Sequence, residues 1–262
     1  MTAVAPNIMA RKIGIVARDY NVRFQNGHRD FSHALPDVLK LLDDTGCDTV
    51  LFSLYSIIPR PDYNLREHLL GLHNIRMVCV EEFQDKPRSR KPGKYVVYHR
   101  ETDEWQEYSF KQAFGRVNWQ GEMSMVSRFA QRQVPRRIIG NCCILICGEA
   151  NAVKYDKTGT KSIIDPCGVL DAIPAAVNLI LSPWHDKTSR FELARKKQFL
   201  SMEGRTVVSV WNKGKITKTG QARDGQEPAW AVFNNGNPVP VRPIENGFGV
   251  DIGVLDVAEL AE

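Results

Sequence analysis

The chain has 262 residues, of which 43% are apolar and 25% are charged, and its net charge is +5. This composition is that of an ordinary folded protein, so it excludes a disordered or fibrous chain, and the length suffices for a large core in one domain. The charge is small for the length and the basic residues are spread along the chain, so nucleic-acid binding is not expected.

The first third of the chain predicts a βαβαβ beginning. Apolar residues at helical spacing between Phe31 and Thr45 predict a helix that ends at Gly46. Short apolar runs on both sides of this helix indicate buried strands, and a second helix precedes the third strand. The strands are predicted at residues 12–17, 49–54 and 76–80, and the second helix at residues 65–72.

The rest of the chain continues as mixed α/β structure. Strand-forming runs from Tyr95 to His99 and from Trp105 to Phe110 surround a polar turn and predict a hairpin, and the basic run from Lys86 to Lys94 before it is interpreted as a solvated loop. Further strands are predicted at residues 136–147, 178–182, 206–211 and 249–257, helices at residues 168–176 and 190–203, and a second hairpin at residues 230–241. No internal repeat or low-complexity segment interrupts this order.

The cysteines and the apolar runs bear on the compartment. The chain has six cysteines, and most of them lie in apolar segments, which favours a reducing, cytoplasmic setting over a disulfide scaffold. Cys142, Cys143 and Cys147 are close in sequence but form no Cys-x-x-Cys pair, so no bound metal is expected. No run approaches the ~18 apolar residues of a membrane span, and residues 1–11 do not resemble a secretory signal, so no membrane contact is expected.

The segment Ile144-Leu145-Ile146-Cys147-Gly148-Glu149 carries the main candidate for chemistry. A thiol at the end of a buried strand, followed by glycine and a carboxylate, fits a covalent nucleophile, whereas the alternative is an inert cysteine packed in the core. A nucleophilic thiol needs a cation or base nearby. Lys111, directly after the first hairpin, is the leading candidate for that cation, and its alternative role is that of a surface lysine.

With these features the chain resembles the nitrilase-like carbon-nitrogen hydrolase family. The likeness rests on the segment from Glu107 to Phe114 around Lys111, on Gly140 to Glu149 (GNCCILICGE), and on the strand, proline loop, helix and strand from Val177 to Lys213. The resemblance implies a four-layer αββα sandwich spanning residues 1–262 as a single domain, with residues 1–11 flexible. It also implies a homodimer and chemistry that needs no cofactor.

Carried over to this sequence, the family's Glu-Lys-Cys triad makes Cys147 the nucleophile and Lys111 the group that stabilises the oxyanion. The family's glutamate follows the second strand, but this chain has Phe52-Ser53-Leu54-Tyr55-Ser56 there and no carboxylate before Asp62. Glu149 and Glu122 are the two candidate replacements. Glu149 otherwise organises the loop after the cysteine, and Glu122 is otherwise solvated.

The surroundings of Cys147 are predicted to form the substrate pocket. Gly148 replaces the family's bulky aromatic residue and is expected to widen the pocket, and Tyr55 and Trp184 are expected to line it. His185 permits a Cys-His pair of the papain kind, although its alternative role is to shape the pocket loop. Asp186 and Arg190 either hold this loop or bind a substrate carboxylate.

The preferred interpretation is a carbon-nitrogen hydrolase-like protein that acts on a small-molecule amide, carbamoyl or nitrile compound through a thioester. The first alternative is a catalytically silent homologue that serves as a ligand-sensing or assembly module. The second is a Rossmann-like nucleotide binder, but Gly14 stands alone after the first strand and no glycine-rich phosphate loop follows it.

Overall fold

The computed structural model describes residues 9–18, 30–86, 89–157, 159, 161–186, 191–214 and 228–260. The helices are α1 (Leu35–Asp44), α2 (Leu65–Leu69), α3 (Met123–Arg128) and α4 (Phe191–Leu200). The strands are β1 (Lys12–Arg18), β2 (Thr49–Phe52), β3 (Met77–Lys86), β4 (Ser89–Arg100), β5 (Trp105–Phe110), β6 (Ile138–Ile139), β7 (Cys142–Ile144), β8 (Lys154–Tyr155), β9 (Ile163–Ile164), β10 (Leu179–Asp186), β11 (Thr206–Asn212), β12 (Trp230–Asn234), β13 (Asn237–Val239), β14 (Arg242–Ile244) and β15 (Val250–Asp256).

Two larger sheets share one plan, in which a parallel centre is flanked by antiparallel strands. The first sheet has the order β14-β15-β1-β2-β3-β4-β5, and β1, β2 and β3 run parallel. The second has the order β13-β12-β11-β10-β7-β6, and β7, β10 and β11 run parallel. Because parallel strands carry their carboxyl ends to one edge of a sheet, each sheet gathers its strand ends, and the loops after them, at one side.

The two sheets pack face to face. In β3, Met77 and Cys79 belong to a core shared with the second sheet, whereas Val78 and Val80 pack with helices α1 and α2 on the other face. This alternation is the period of two that a strand imposes on its side chains. Helix α4 contacts β11 and β12 and places Leu193 and Leu200 in the shared core. The fold is therefore mixed α/β, with two sheets packed together and helices packed against them, as in the predicted class; the order of the four layers stays a prediction.

Most predicted elements are confirmed, with shifted ends, and three predictions were wrong. Residues 168–176 form turns instead of a helix, because Pro174 disfavours helical geometry at the residue before it and lacks an N–H group. The strand predicted over residues 136–147 is interrupted by Gly140, whose φ is 58°. The expected loop from Lys86 to Lys94 is largely strand, since β3 pairs with β4 as far as Lys86 and Ser89.

Several features concern the ends of the chain and its surface. Residues 1–8 of the segment predicted to be flexible lie outside the described residues, whereas Ala10 and Arg11 donate backbone hydrogen bonds to Asn141 and Asp48. Helix α3 and the short hairpin of β8 and β9 were not predicted. None of the helices within the described ranges combines the length and the apolar character that crossing a membrane requires.

Candidate active site

Cys147 lies where β7 gives way to a short 3₁₀-helix, Cys147–Ala152, and it adopts a φ of 46°. A positive φ is rare for a residue with a Cβ atom, and such strained positions are concentrated at functional sites. The thiol is half-buried, unlike the fully buried Cys142 and Cys143 on the strand before it. The sharp turn thus brings Cys147 out of the core at the end of the strand.

His185 is the partner of this thiol. Its strand, β10, lies beside β7 and runs parallel to it, with Leu181 opposite Ile144. Cys147 and His185 therefore leave neighbouring strands at the same edge of the sheet. The Nδ1 atom of His185 lies 3.4 Å from Cys147 Sγ. The structure thus brings His185 into contact with Cys147, and its catalytic role stays a prediction.

Glu81, from the first sheet, lies behind His185, so Cys147, His185 and Glu81 form a row of three side chains. Its carboxylate oxygens lie 3.3 and 3.2 Å from His185 Nε2. Glu81 follows Met77 and Cys79 on the face of β3 that meets the second sheet, so its side chain points between the sheets. It is buried, and its carboxylate also accepts hydrogen bonds from the backbone N–H groups of Tyr55 and Gly93.

The neighbours Cys147 and Glu81 raise the pKa of the His185 imidazole. Burial alone would lower the pKa of His185, but hydrogen bonds to Cys147 and Glu81, together with the charges of both groups, raise that pKa to about 9. A nearby carboxylate stabilises the imidazolium and fixes the orientation of the ring. The arrangement therefore favours a protonated His185 beside the sulfur at neutral pH.

Polar contacts between the sheets hold His185 in place. The side-chain amide of Asn212, on β11, donates to the carbonyl oxygens of His185 and Leu54, each at 2.7 Å. The ring of Tyr55 packs on the imidazole with centroids 4.2 Å apart. Tyr55 also has a positive φ, of 60°, and its N–H donates to Glu81 at 2.7 Å. Tyr55, which was predicted to line the pocket, therefore orients His185 and Glu81.

Glu149 does not belong to the row of reacting groups. Its carboxylate pairs with Arg137 Nη1 at 2.7 Å and accepts the N–H groups of Ala113 and Ile146 at 2.6 and 2.8 Å. Burial raises the pKa of Glu149 to about 7, and the charge of Arg137 and these hydrogen bonds oppose the rise. Arg137 Nη2 also donates to the carbonyl oxygen of Lys111. The ion pair of Arg137 and Glu149 therefore connects the segment after the first hairpin to the turn that carries Cys147.

Gly148 has a packing role beside the nucleophile. A Cβ atom at this position would collide with the backbone of Gly115, so the two segments approach each other more closely than a side chain permits. The space that we expected to widen the pocket is therefore filled by backbone. Gly115 also accepts a hydrogen bond from the side chain of Asn151 at 2.7 Å, which ties it to the 3₁₀-helix.

The side chains of Lys111, Glu122 and Trp184 make no hydrogen bond to Cys147, His185 or Glu81 in the part of the chain that the structure describes. Lys111 is exposed, and its ammonium makes no hydrogen bond or ion pair to another residue that the structure describes. Glu122 is half-buried at the start of α3 and accepts the N–H of Asn118 at 2.6 Å. Trp184 is buried in the shared core, with Lys197 Nζ 5.2 Å from its ring centroid. Arg190 lies outside the described residues.

Glu81 is the member of the row that sequence reasoning missed. The strand Met77-Val78-Cys79-Val80-Glu81 places a carboxylate on the same face as two buried apolar side chains, and that alternation was a signal. The prediction placed the glutamate at the family's position after β2 instead.

No group of three or more His, Cys, Asp or Glu side chains able to hold a metal ion occurs among the described residues.

Comparisons with known proteins show the fold. No family model matches the chain, and no curated protein matches it by sequence. A mutant of the Nesterenkonia AN1 amidase from the nitrilase superfamily is 14% identical, with a TM-score of 0.49, over 99% of this chain and 95% of that one. The glutamine-dependent NAD+ synthetase from Acinetobacter baumannii is 12% identical, with a TM-score of 0.51, over 96% of this chain and 46% of that one. These likenesses concern the fold alone, and the chain has a carbon-nitrogen hydrolase-like fold.

Proposed function

We propose that this protein hydrolyses the carbon-nitrogen bond of a small amide, carbamoyl or nitrile compound through a thioester on Cys147. The observation that supports the proposal best is the contact between His185 Nδ1 and the half-buried Cys147 sulfur, with Glu81 behind the imidazole. The order of nucleophile, imidazole and orienting acceptor is the one used by thiol hydrolases on unrelated folds.

In the first half of the cycle, His185 holds the proton that Cys147 gives up, and the thiolate attacks the carbonyl carbon of the amide. The C–O double bond opens to an oxyanion, for which Lys111 remains the proposed stabilising cation. When the C–N bond breaks, His185 returns the proton to the nitrogen. Ammonia or an amine leaves, and the acyl group remains on the sulfur as a thioester.

In the second half, a water molecule takes the place of the amine. His185 removes its proton as the oxygen attacks the thioester, and the proton passes to the sulfur when the C–S bond breaks. The products are a carboxylic acid and the free thiol. Glu81 keeps the imidazole oriented throughout, so the glutamate that the family carries after β2 is replaced here by one from β3.

Intact mass spectrometry tests this proposal. The protein is mixed with panels of amides, carbamoyl compounds and nitriles and quenched after short times. We expect an acyl adduct that is absent from Cys147→Ala and retained in Cys167→Ala, a matched control at another half-buried cysteine. An adduct that persists in Cys147→Ala would contradict the proposal. No adduct together with an unreactive Cys147 would favour the non-catalytic ligand-sensing alternative.

A pH profile tests the role of the imidazole. Because the pKa of His185 rises from 6.5 to about 9, its protonated form persists at neutral pH and is lost as the pH rises through about 9. We expect kcat/KM to fall above an apparent pKa of about 9, since the leaving nitrogen needs that proton. Glu81→Gln should shift this fall to lower pH, because it removes a charge that raises the pKa.

Glu82→Gln is the control for that profile. Glu82 neighbours Glu81 in β3 and, by the alternation of the strand, faces the helices instead of the second sheet. Its substitution should leave the alkaline fall in place. A profile that stays flat to pH 10, or one that Glu81→Gln does not move, would rule out His185 as the acid.

A further inference from the structure

A cleft of about 240 Å³ opens beside the nucleophile turn and is rich in cations. The charged side chains that line it include Arg116, Lys154, Lys157 and Lys196, against the single carboxylate of Glu192. Trp119 and Tyr155 add aromatic surface. A concave site lined by one sign of charge concentrates the electrostatic potential within it.

The cations of the cleft differ in the ion pairs that they form with other described residues. Lys157 pairs with Glu192 at 2.8 Å, and Lys196 Nζ donates to Asn151 Oδ1 at 2.9 Å. Arg116 and Lys154, by contrast, form no ion pair with any residue in the described part of the chain. The cleft therefore carries an excess of positive charge that an anionic ligand would complement.

The cleft lies next to the turn that carries Cys147, and two of its lining residues show this. Asn151 lines it and belongs to the 3₁₀-helix that begins at Cys147, so four residues at about 2 Å each place it about 8 Å from the nucleophile. On the other side, Arg116 directly follows Gly115, whose backbone packs on Gly148. A ligand that reaches both the sulfur and the cations has to span at least this distance.

We propose that this cleft binds a carboxylate or phosphate group of the substrate, so that the compound attacked by Cys147 is an amide, carbamoyl compound or nitrile with an anionic tail. The inference rests on the proposed function for the reaction at the sulfur. Arg116 and Lys154 neutralise the anion, and Trp119 and Tyr155 pack along the connecting chain. Neutral compounds of the same length lack this anchor.

Alkylation of Cys147 tests the anchor without turnover. Second-order rates are compared for N-iodoacetyl-γ-aminobutyrate, its phosphate counterpart N-iodoacetyl-3-aminopropyl phosphate and neutral N-butyl iodoacetamide, which share a reactive group and chain length. We expect the preferred anionic reagent to react about 10-fold faster than the neutral one, a preference that falls with added salt. The carboxylate and phosphate arms distinguish the two anions.

Substitutions assign the preference to the cleft. The double variant Arg116→Gln/Lys154→Gln should reduce the ratio of anionic to neutral rates about 10-fold. Arg132→Gln/Arg136→Gln removes two exposed cations outside the cleft and should leave the ratio unchanged. Equal rates for all three reagents in the unmodified protein would overturn the proposal, as would an equal loss in both double variants.

A second readout separates this proposal from the reaction itself. Acetylation of Lys154 is followed by mass spectrometry with and without γ-acetamidobutyrate or inorganic phosphate. Protection of Lys154 supports the anion site even if Cys147 reacts with no reagent, an outcome that would remove the hydrolase proposal alone. If Lys154 is acetylated equally with and without either anion, the cleft proposal fails whatever Cys147 does.

Discussion

Replacing His185 with Gln is expected to lower kcat/KM by about 10³-fold while the protein stays folded. Glutamine keeps a polar side chain of similar reach but cannot take up or release a proton. Both halves of the proposed cycle use the imidazole, first to protonate the leaving nitrogen and then to activate water. The substitution therefore slows the formation and the breakdown of the thioester.

The measurement is steady-state kinetics on the compound that first gives an acyl adduct, with thermal unfolding as the check on folding. His68→Gln is the matched control, because His68 is also half-buried and its ring also lies against a tyrosine, with centroids 5.5 Å apart. That variant should retain full activity. An active His185→Gln beside an inactive Lys111→Met would return the chemistry to the triad predicted from the sequence.

The position of Cys147 at the end of a buried strand could be predicted from the sequence because its signal is local. An apolar strand that stops at Cys147, followed by Gly148 and Glu149, shows in one short segment where the chain leaves the core. The side chains that gather beside Cys147 are distant in sequence. His185 comes from β10 of the same sheet and contacts the sulfur, and Glu81 comes from β3 of the other sheet and contacts His185. Their convergence depends on strand order and register, which single-sequence patterns do not fix.

The resemblance directed attention to the end of β2, where the family's glutamate is absent. The structure shows what occupies that place. Tyr55 stands there with a positive φ, donates its N–H to Glu81 and covers the imidazole of His185. A carboxylate thus reaches the same edge from the neighbouring strand, β3. In the proposed site the carboxylate therefore comes from β3, a strand away from the position that the resemblance indicated.

The fold was more predictable than the site because its signals are periodic. Helix α1 and strands β1, β2 and β11 follow from apolar spacing, since each has one or both faces buried. The segment between β5 and β7 contains α3 and then a π-helical turn, Phe129–Gln133, and a 3₁₀ turn, Val134–Arg137. Such short irregular turns have weak periodicity, and tertiary contacts decide their form.

Arg137 illustrates how such a segment serves the site. Among the described residues it is the largest fully buried side chain, and it lies over the rings of Phe110 and Phe129 while it pairs with Glu149. Arg137 falls within the strand predicted over residues 136–147, and no role was predicted for it. The pair connects the end of the first hairpin with the turn that carries Cys147.

Replacing Arg137 with Met is expected to reduce the free energy of unfolding by about 3–5 kcal/mol. Both side chains of the pair are shielded from water, with 2% and 0% of their surfaces exposed. Removing the arginine leaves the Glu149 carboxylate buried without its counter-charge, and the carbonyl of Lys111 loses a donor. Urea unfolding measures the change, and thiol alkylation reports whether the turn at Cys147 keeps its shape.

Two further variants distinguish a buried ion pair from general damage. Arg137→Met/Glu149→Leu removes both charges, and we expect it to recover part of the lost stability, because a matched apolar pair avoids the uncompensated charge. Arg66→Met breaks an exposed pair with Glu107, in which the arginine side chain is 52% exposed, and should cost about 0–1 kcal/mol. Two outcomes would mean that the pair does not hold the turn that carries Cys147. One is a loss of less than about 1 kcal/mol in the free energy of unfolding for Arg137→Met. The other is a double variant that is less stable than Arg137→Met by the full cost of losing a second charge.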